Sequence, residues 1–219
     1  MNLSPLSTPA RRSLLGLAVA FAASPPLLAD GADIALADAM RGHWESIACE
    51  LRPRPYAEGE AVAPFHLTRS FHYDGDLFEG TIVSYADPLC EQPLVSYSFE
   101  GHLVSHGDSP AADGAEKIDY VLDRALRLTP MNDAFTEQMN GLPDGACGTE
   151  RWETGVEQSV METGCALLNL AEGQIYVDHD IVHVVDDMLF FGAKPVDGSN
   201  FDVEERRPVQ LQVPLVRVD

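Results

Sequence analysis

Leu94-Val95-Ser96-Tyr97-Ser98-Phe99-Glu100-Gly101-His102-Leu103-Val104 is the stretch on which the fold class turns. Val95, Tyr97, Phe99, Gly101 and Leu103 fall on one side of a pleated chain, and Ser96, Ser98, Glu100 and His102 fall on the other. A period of two with apolar and polar residues alternating is the signature of a strand with one dry face and one wet face. Val95, Tyr97, Phe99 and Leu103 are therefore expected inside, with Ser98, Glu100 and His102 more exposed.

The same alternation extends in both directions. Upstream, Phe65, Leu67, Phe71 and Tyr73 alternate with His66, Thr68, Ser70 and His72, and Asp74-Gly75-Asp76 reads as a hairpin turn. The returning strand runs from Leu77 to Tyr85 and stops at Asp87-Pro88. Downstream, Ile118, Tyr120 and Leu122 alternate with Lys117, Asp119 and Asp123. Ile175 to Val185 alternates again, as do Val209, Leu211 and Val213. One helix is expected, opened by Thr129-Pro130 and stopped by Gly141, with Met131, Phe135 and Met139 on one face. Many antiparallel strands in one chain must pair or close their edges. The expectation is an all-β domain with one short helix, an antiparallel barrel or half-barrel with an apolar interior.

Residues 1–29 read as an export signal rather than as part of the fold. Arg11-Arg12 precedes an apolar run from Leu14 to Ala23, then Pro25-Pro26 and a small residue, Ala29, after which cleavage is expected. The run is too short to cross a bilayer. The arginine doublet is compatible with twin-arginine export or with an ordinary positive n-region. The remainder, 30–219, shows no linker and no repeat, and reads as a single domain. Its expected location is secreted or periplasmic, with no membrane span in the mature chain.

Charge narrows the partners. The chain carries −21 at neutral pH, and the two arginines of residues 1–29, with no carboxylate there, move the mature chain to −23. A field of that sign repels phosphate backbones, so nucleic acid is excluded as a partner. The four cysteines, Cys49, Cys90, Cys147 and Cys165, form an even set without a C-x-x-C pair, which in an exported chain favours disulfides. Three pairings are possible, and Cys49–Cys90 with Cys147–Cys165 is preferred because each joins neighbouring segments.

Beyond pattern there are particular strings. Gly42-His43-Trp44-Glu45-Ser46-Ile47-Ala48-Cys49-Glu50-Leu51-Arg52-Pro53, Leu67-Thr68-Arg69-Ser70-Phe71 and Tyr85-Ala86-Asp87-Pro88-Leu89-Cys90-Glu91-Gln92-Pro93 occur in order. Leu189-Phe190-Phe191-Gly192, Arg206-Arg207-Pro208 and Gln212-Val213-Pro214-Leu215-Val216 follow near the end. Together they resemble the APCDD (adenomatosis polyposis coli down-regulated) family from about Arg41 to the C-terminus. The resemblance implies a disulfide-braced, barrel-like shell with an apolar cavity suited to an acyl chain. Animal members of that family are membrane-anchored Wnt inhibitors with two such domains. This sequence is expected to hold one domain without a C-terminal anchor, and it shows no glycosylation site in its mature part and no cysteine near the final Pro-Leu-Val. Its export signal looks bacterial. Fold, disulfides and lipid binding are thus expected to carry over better than Wnt signalling.

Several residues stand out against this frame. Glu50 is in phase with Trp44, Ser46 and Ala48, and Arg69 is in phase with Leu67 and Phe71. A charge on an apolar face is costly unless paired, so Glu50 and Arg69 are expected to form an ion pair between neighbouring strands inside the barrel. Arg69 could alternatively hold a ligand carboxylate or ester carbonyl. Phe71, Phe78, Ile82, Tyr97, Phe99, Ile118 and Tyr120 either fill a core or, with Arg69, line a cavity. His179 and His183 are four apart in a strand, about 13 Å, too far for one ion, and His102 and His106 fail likewise, so no metal is expected. Gly107-Asp108-Ser109-Pro110 with Asp180 and His183 resembles the motif blocks of GDSL-type hydrolases, with Ser109 as nucleophile, His183 as base and Asp180 as orienter. Those enzymes are α/β with the serine near the N-terminus, so catalysis is not expected, and no cofactor fingerprint occurs. The expected function is binding of an apolar or lipidated ligand. The alternatives are a protein-interaction module with a packed interior and, third, an esterase.

Overall fold

The computed structural model describes residues 31–52, 64–194 and 201–218. The expected leader, residues 1–29, and its cleavage after Ala29 lie outside the described residues. Helix α1 (Gly31–Met40) leads into β1 (Gly42–Ser46), β2 (Glu50–Arg52), β3 (Phe65–Asp74) and β4 (Leu77–Tyr85). The two longest strands, β5 (Pro93–Asp108) and β6 (Glu116–Pro130), come next. After α2 (Asp133–Asn140) and the short β7 (Gln158–Ser159), the chain closes with β8 (Tyr176–Val185), β9 (Met188–Phe191) and β10 (Leu215–Arg217).

The strands pair in the order β1-β10-β9-β8-β6-β5-β4-β3, and β3 pairs back onto β1. This is a closed antiparallel barrel of eight strands, with β2 also on β3 and β7 also on β6. Closure removes the unpaired edges that a sheet of this length would otherwise present. The alternation of β5 becomes burial at two of the four expected inward positions. Val95 is 2% and Phe99 9% exposed, while Ser98, Glu100 and His102 are only partly covered. Tyr97 and Leu103, expected inside, are half-buried.

Two glycines make room for close approaches in the wall, one for an aromatic ring and one for a neighbouring strand's backbone. A Cβ at Gly80 would lie 2.1 Å from the Phe99 ring, and one at Gly101 would lie 1.9 Å from the Val121 carbonyl oxygen. Gly101 sits where the β5–β6 register shifts, a bulge that bends both long strands.

Both disulfides have the preferred connectivity. Cys49–Cys90 joins the segment between β1 and β2 to the β4–β5 turn, with Cα atoms 5.6 Å apart. Cys147–Cys165 closes the long excursion between β6 and β8, with Cα atoms 3.8 Å apart.

Two local expectations are corrected. The helix does not start at Thr129-Pro130, because β6 runs through Pro130 and Met131 N–H still bonds the Leu94 carbonyl at 2.8 Å. Asn132 is the true cap: its side-chain oxygen accepts from Phe135 N–H at 2.9 Å and its amide donates to the Pro93 carbonyl at 2.7 Å. Met131 is consequently outside the helix and exposed, and of the expected stripe Met139 is buried and Phe135 half-buried. The alternating Val209-Leu211-Val213 is not a strand. Val209 and Val213 are exposed, Leu211 makes an isolated bridge to Gly192, and β10 begins after Pro214. Pro208 and Pro214 bracket this stretch and lack the N–H a ladder needs.

Candidate functional site

The barrel interior is not uniform. Trp44 and Tyr73 are 0% exposed, as are Ile118, Leu189 and Leu215, and Phe78 is 2% exposed. Trp44 and Tyr73 lie near the β3–β4 turn, where Gly42 pairs with Tyr73 and Tyr73 with Phe78. The Trp44 indole N–H donates to the Met40 carbonyl at 2.6 Å, tying the end of α1 under this packed region. Farther along the same inward faces, the side chains stop meeting one another and enclose a cavity of about 450 Å³. Its wall includes Phe65, Leu67, Phe71, Ile82, Tyr97, Phe99, Tyr120, Leu122, Leu126, Tyr176 and Phe191, with Leu167 and Leu168 reaching over from the excursion. Leu167 is 48% exposed, so the cavity meets solvent there.

Of the residues expected to line such a space, Arg69, Phe71, Ile82, Tyr97, Phe99 and Tyr120 do so. Phe78 and Ile118 do not: they fill the packed end. Phe71 and Tyr73 have the same strand parity, yet Phe71 faces the void and Tyr73 is fully enclosed, its hydroxyl 2.9 Å from that of Tyr120. Burial raises the phenols of Tyr73 and Tyr120 above their ordinary value and pushes Tyr97 up to about 12, so all three are neutral surfaces at physiological pH.

Charge is concentrated in part of the cavity wall. Arg69 Nε donates to Glu50 Oε1 at 2.8 Å, with both side chains nearly inaccessible (5% and 6%), so the expected ion pair forms. The reason lies in β1 and β2. Both pair with β3, but four residue steps from Ser46 to Glu50 cover the ground between Arg69 and Leu67. The excess bulges at Ile47-Ala48-Cys49, pinned by the disulfide, and brings Glu50 back beneath Arg69. Ser46 Oγ fills the gap, donating to Glu50 at 2.6 Å and accepting from Arg69 N–H at 2.7 Å. Arg69 Nη2 donates to the Val213 carbonyl at 3.1 Å, and its guanidinium lies 4.9 Å from the Phe191 ring centre. Glu50 also bonds Arg52, so one carboxylate serves two guanidiniums.

The same cavity wall holds Asp178, Asp180 and Lys194. The Lys194 ammonium is 3.0 Å from Asp178 and lies over the Phe201 ring at 3.8 Å. Asp180 is 1% exposed, and its Oδ1 accepts from Ile181 N–H at 2.7 Å and Gly192 N–H at 2.9 Å. Burial pushes its carboxyl up to about 7, aided by Asp178 and opposed by Lys194. Sequence reading passes over Arg52, Lys194 and Gln212 because they lie at a strand end or in irregular segments, where periodicity assigns no face, whereas Asp178 is in phase with Asp180 on β8 and had only that parity to mark it. For the charged residues Arg52, Asp178 and Lys194 the nearest available signal is a charge beside apolar neighbours, and Gln212 carries none.

A second polar cluster forms on the outer wall. Asp119 accepts from Arg207 Nη2 at 2.6 Å and lies 2.8 Å from both His106 Nε2 and His179 Nδ1. Glu204 joins through Arg207 and is 3.5 Å from His179. Asp119, His179 and Glu204 have the spacing of metal ligands, but Arg207 Nη2 contacts all three and supplies the positive charge itself. Burial opposes ionisation of Asp119, yet hydrogen bonds from Arg207, His106 and His179 outweigh it and hold the carboxyl below its ordinary value. Along a single strand the histidines are too far apart to share a partner, but His106 and His179 converge from neighbouring strands on Asp119 between them.

The hydrolase constellation is not assembled. Asp180 and His183 are three apart in β8 and face opposite sides of the wall, with Asp180 inward and His183 6.2 Å from the Phe190 ring. Ser109 is 7% exposed, and its Oγ accepts from Ala111 N–H at 3.3 Å in the loop between β5 and β6.

With barrel, disulfides and cavity in place, comparison with protein families is decisive. The family model for adenomatosis polyposis coli down-regulated 1 matches residues 28–172. The chain belongs to the APCDD family. The match takes in α1, β1 to β7, both disulfides and the Glu50–Arg69 pair. β8 to β10 lie beyond it; they complete the ring of this APCDD barrel and supply Asp178, Asp180 and Phe191, with Lys194 just after β9. No described helix is long and apolar enough to cross a membrane.

Proposed function

We propose that this chain is an exported APCDD-family binding protein that sequesters or carries a lipid or lipidated molecule in its barrel. The cavity carries this reading. At about 450 Å³ it falls within the span of small-molecule sites, about 300–1,000 Å³. Its wall is largely aliphatic and aromatic, and a well-packed domain has few voids larger than a water molecule. An apolar chain entering it would be removed from water at about 25 cal/mol per Å² of buried surface. The two disulfides suit an oxidising, secreted or periplasmic setting. Wnt inhibition, the role of animal members, does not follow from a cavity alone and is not part of the proposal.

The test is native mass spectrometry of the purified protein followed by organic extraction. An acyl species that copurifies, or an added fatty acyl chain that loads at one equivalent, is the expected result. A protein that carries none and takes up none would overturn the reading in favour of an interaction module.

A further inference from the structure

Resting on the lipid-binding reading, we infer that the ligand is a single-chain anionic amphiphile, a free long-chain carboxylate, with its head group at Arg52, Arg69 and Lys194. The first support is charge. The mature chain is strongly acidic, yet the polar part of this cavity gathers three cations, Arg52, Arg69 and Lys194. Facing them are Glu50, shared by both arginines, and Asp178, bonded to Lys194. The remaining carboxyl is Asp180, which burial leaves substantially protonated below about pH 7. One positive charge is therefore left over along this wall, an imbalance that a bound anion would relieve.

The second support is the count of donors. Among the described residues, Arg52 bonds Glu50 through Nη2 alone, and Arg69 uses Nε and Nη2. Arg52 Nε and Nη1 and Arg69 Nη1 thus remain for a ligand. A carboxylate suits such groups because a guanidinium offers parallel N–H bonds to two oxygens. The third support is Gln212. It lines the cavity, and its buried Oε1 has no hydrogen-bond partner among the described residues. A buried amide left unpaired costs stability, and turning it over would present its NH2 to an entering acceptor. The volume favours one chain, since about 450 Å³ lies toward the small end of ligand cavities.

Isothermal titration calorimetry on the delipidated protein, slightly below neutral pH, compares dodecanoate with dodecanol. Both are used below their aggregation concentrations. Dodecanoate should bind at least about ten-fold tighter. In Arg52→Gln the ratio should fall toward one, and Arg52→Lys should keep most of it. Lys194→Gln provides a second route to the same loss should Arg52→Gln fail to melt cooperatively. Equal affinities for the two ligands overturn the head-group inference and leave the lipid-binding reading standing. A preference that survives both Arg52→Gln and Lys194→Gln overturns it as well. Binding of neither ligand overturns both readings.

Discussion

One half of this barrel is a protein core and the other half is a container, although the same strands build both. At the packed end, Trp44, Tyr73, Phe78 and Leu215 interlock, and α1 lies beneath them. At the hollow end, Leu67, Ile82, Tyr97 and Tyr176 stand apart, with Arg69 and Asp180 buried among them. Stability should therefore concentrate at the first end, leaving the second free to hold polar groups that a tight core would not tolerate.

Core truncation gives the sharpest contrast. Trp44→Ala should destabilise by about 3–5 kcal/mol, because it opens a new cavity where none existed. Ile82→Ala should cost below about 2 kcal/mol, since its side chain already borders a void and loses only part of its burial. Denaturant melts of both variants measure this, and equal losses would break the comparison.

The ion pair is the one place in the hollow end where a large loss is expected. Arg69→Leu or Glu50→Leu alone should cost about 3–5 kcal/mol, because the partner is left buried and uncompensated. The double replacement should cost much less than the sum. For Glu50→Leu the loss is compounded by Arg52, which shares that carboxylate. A double-mutant cycle with no coupling would place the pair among ordinary surface bridges.

The smallest effect is on pH dependence, and it separates interior from exterior. The folded-state value of Asp180, about 7, lies above its ordinary value, so the native state holds this proton more tightly than the unfolded chain does. Its contribution is thus intact in acid and is lost as pH rises from the ordinary carboxylate range through about 7. Asp119 has the opposite sign. Its value is lowered, so its contribution is present above the ordinary range and is lost as pH falls through the folded-state value. Asp180→Asn should flatten the thermal-melt profile on the approach to neutrality, and Asp119→Asn should flatten it in acid. Profiles altered at the other end of the range would reverse the assignments.

Local pattern was sufficient for whatever depends on neighbours in sequence. The period of two in Leu94–Val104 and Phe65–Tyr73 specifies a wall with one dry face, because successive side chains of a strand point to opposite sides. The phase of Glu50 and Arg69 against that face was enough to pair them, since an inward charge has few acceptors within reach. Pattern misled where two signals competed. Thr129-Pro130 has the chemistry of a helix start, but pairing with β5 keeps those residues extended, and the start moves to Asn132.

What the chain alone determined is a strand-rich, acidic, cysteine-paired domain with an apolar inward face. Only the tertiary structure decided where that face closes on itself. Phe71 and Phe78 are indistinguishable by period, and closure of the ring puts one at the void and the other in the plug. The two aspartates were separated in the same way. Asp119 meets donors from β5, β8 and the segment before β10, whereas Asp180 receives two backbone N–H groups in a dry interior. Packing and charge state depend on groups distant in sequence, and those groups become neighbours only once the eight strands have closed.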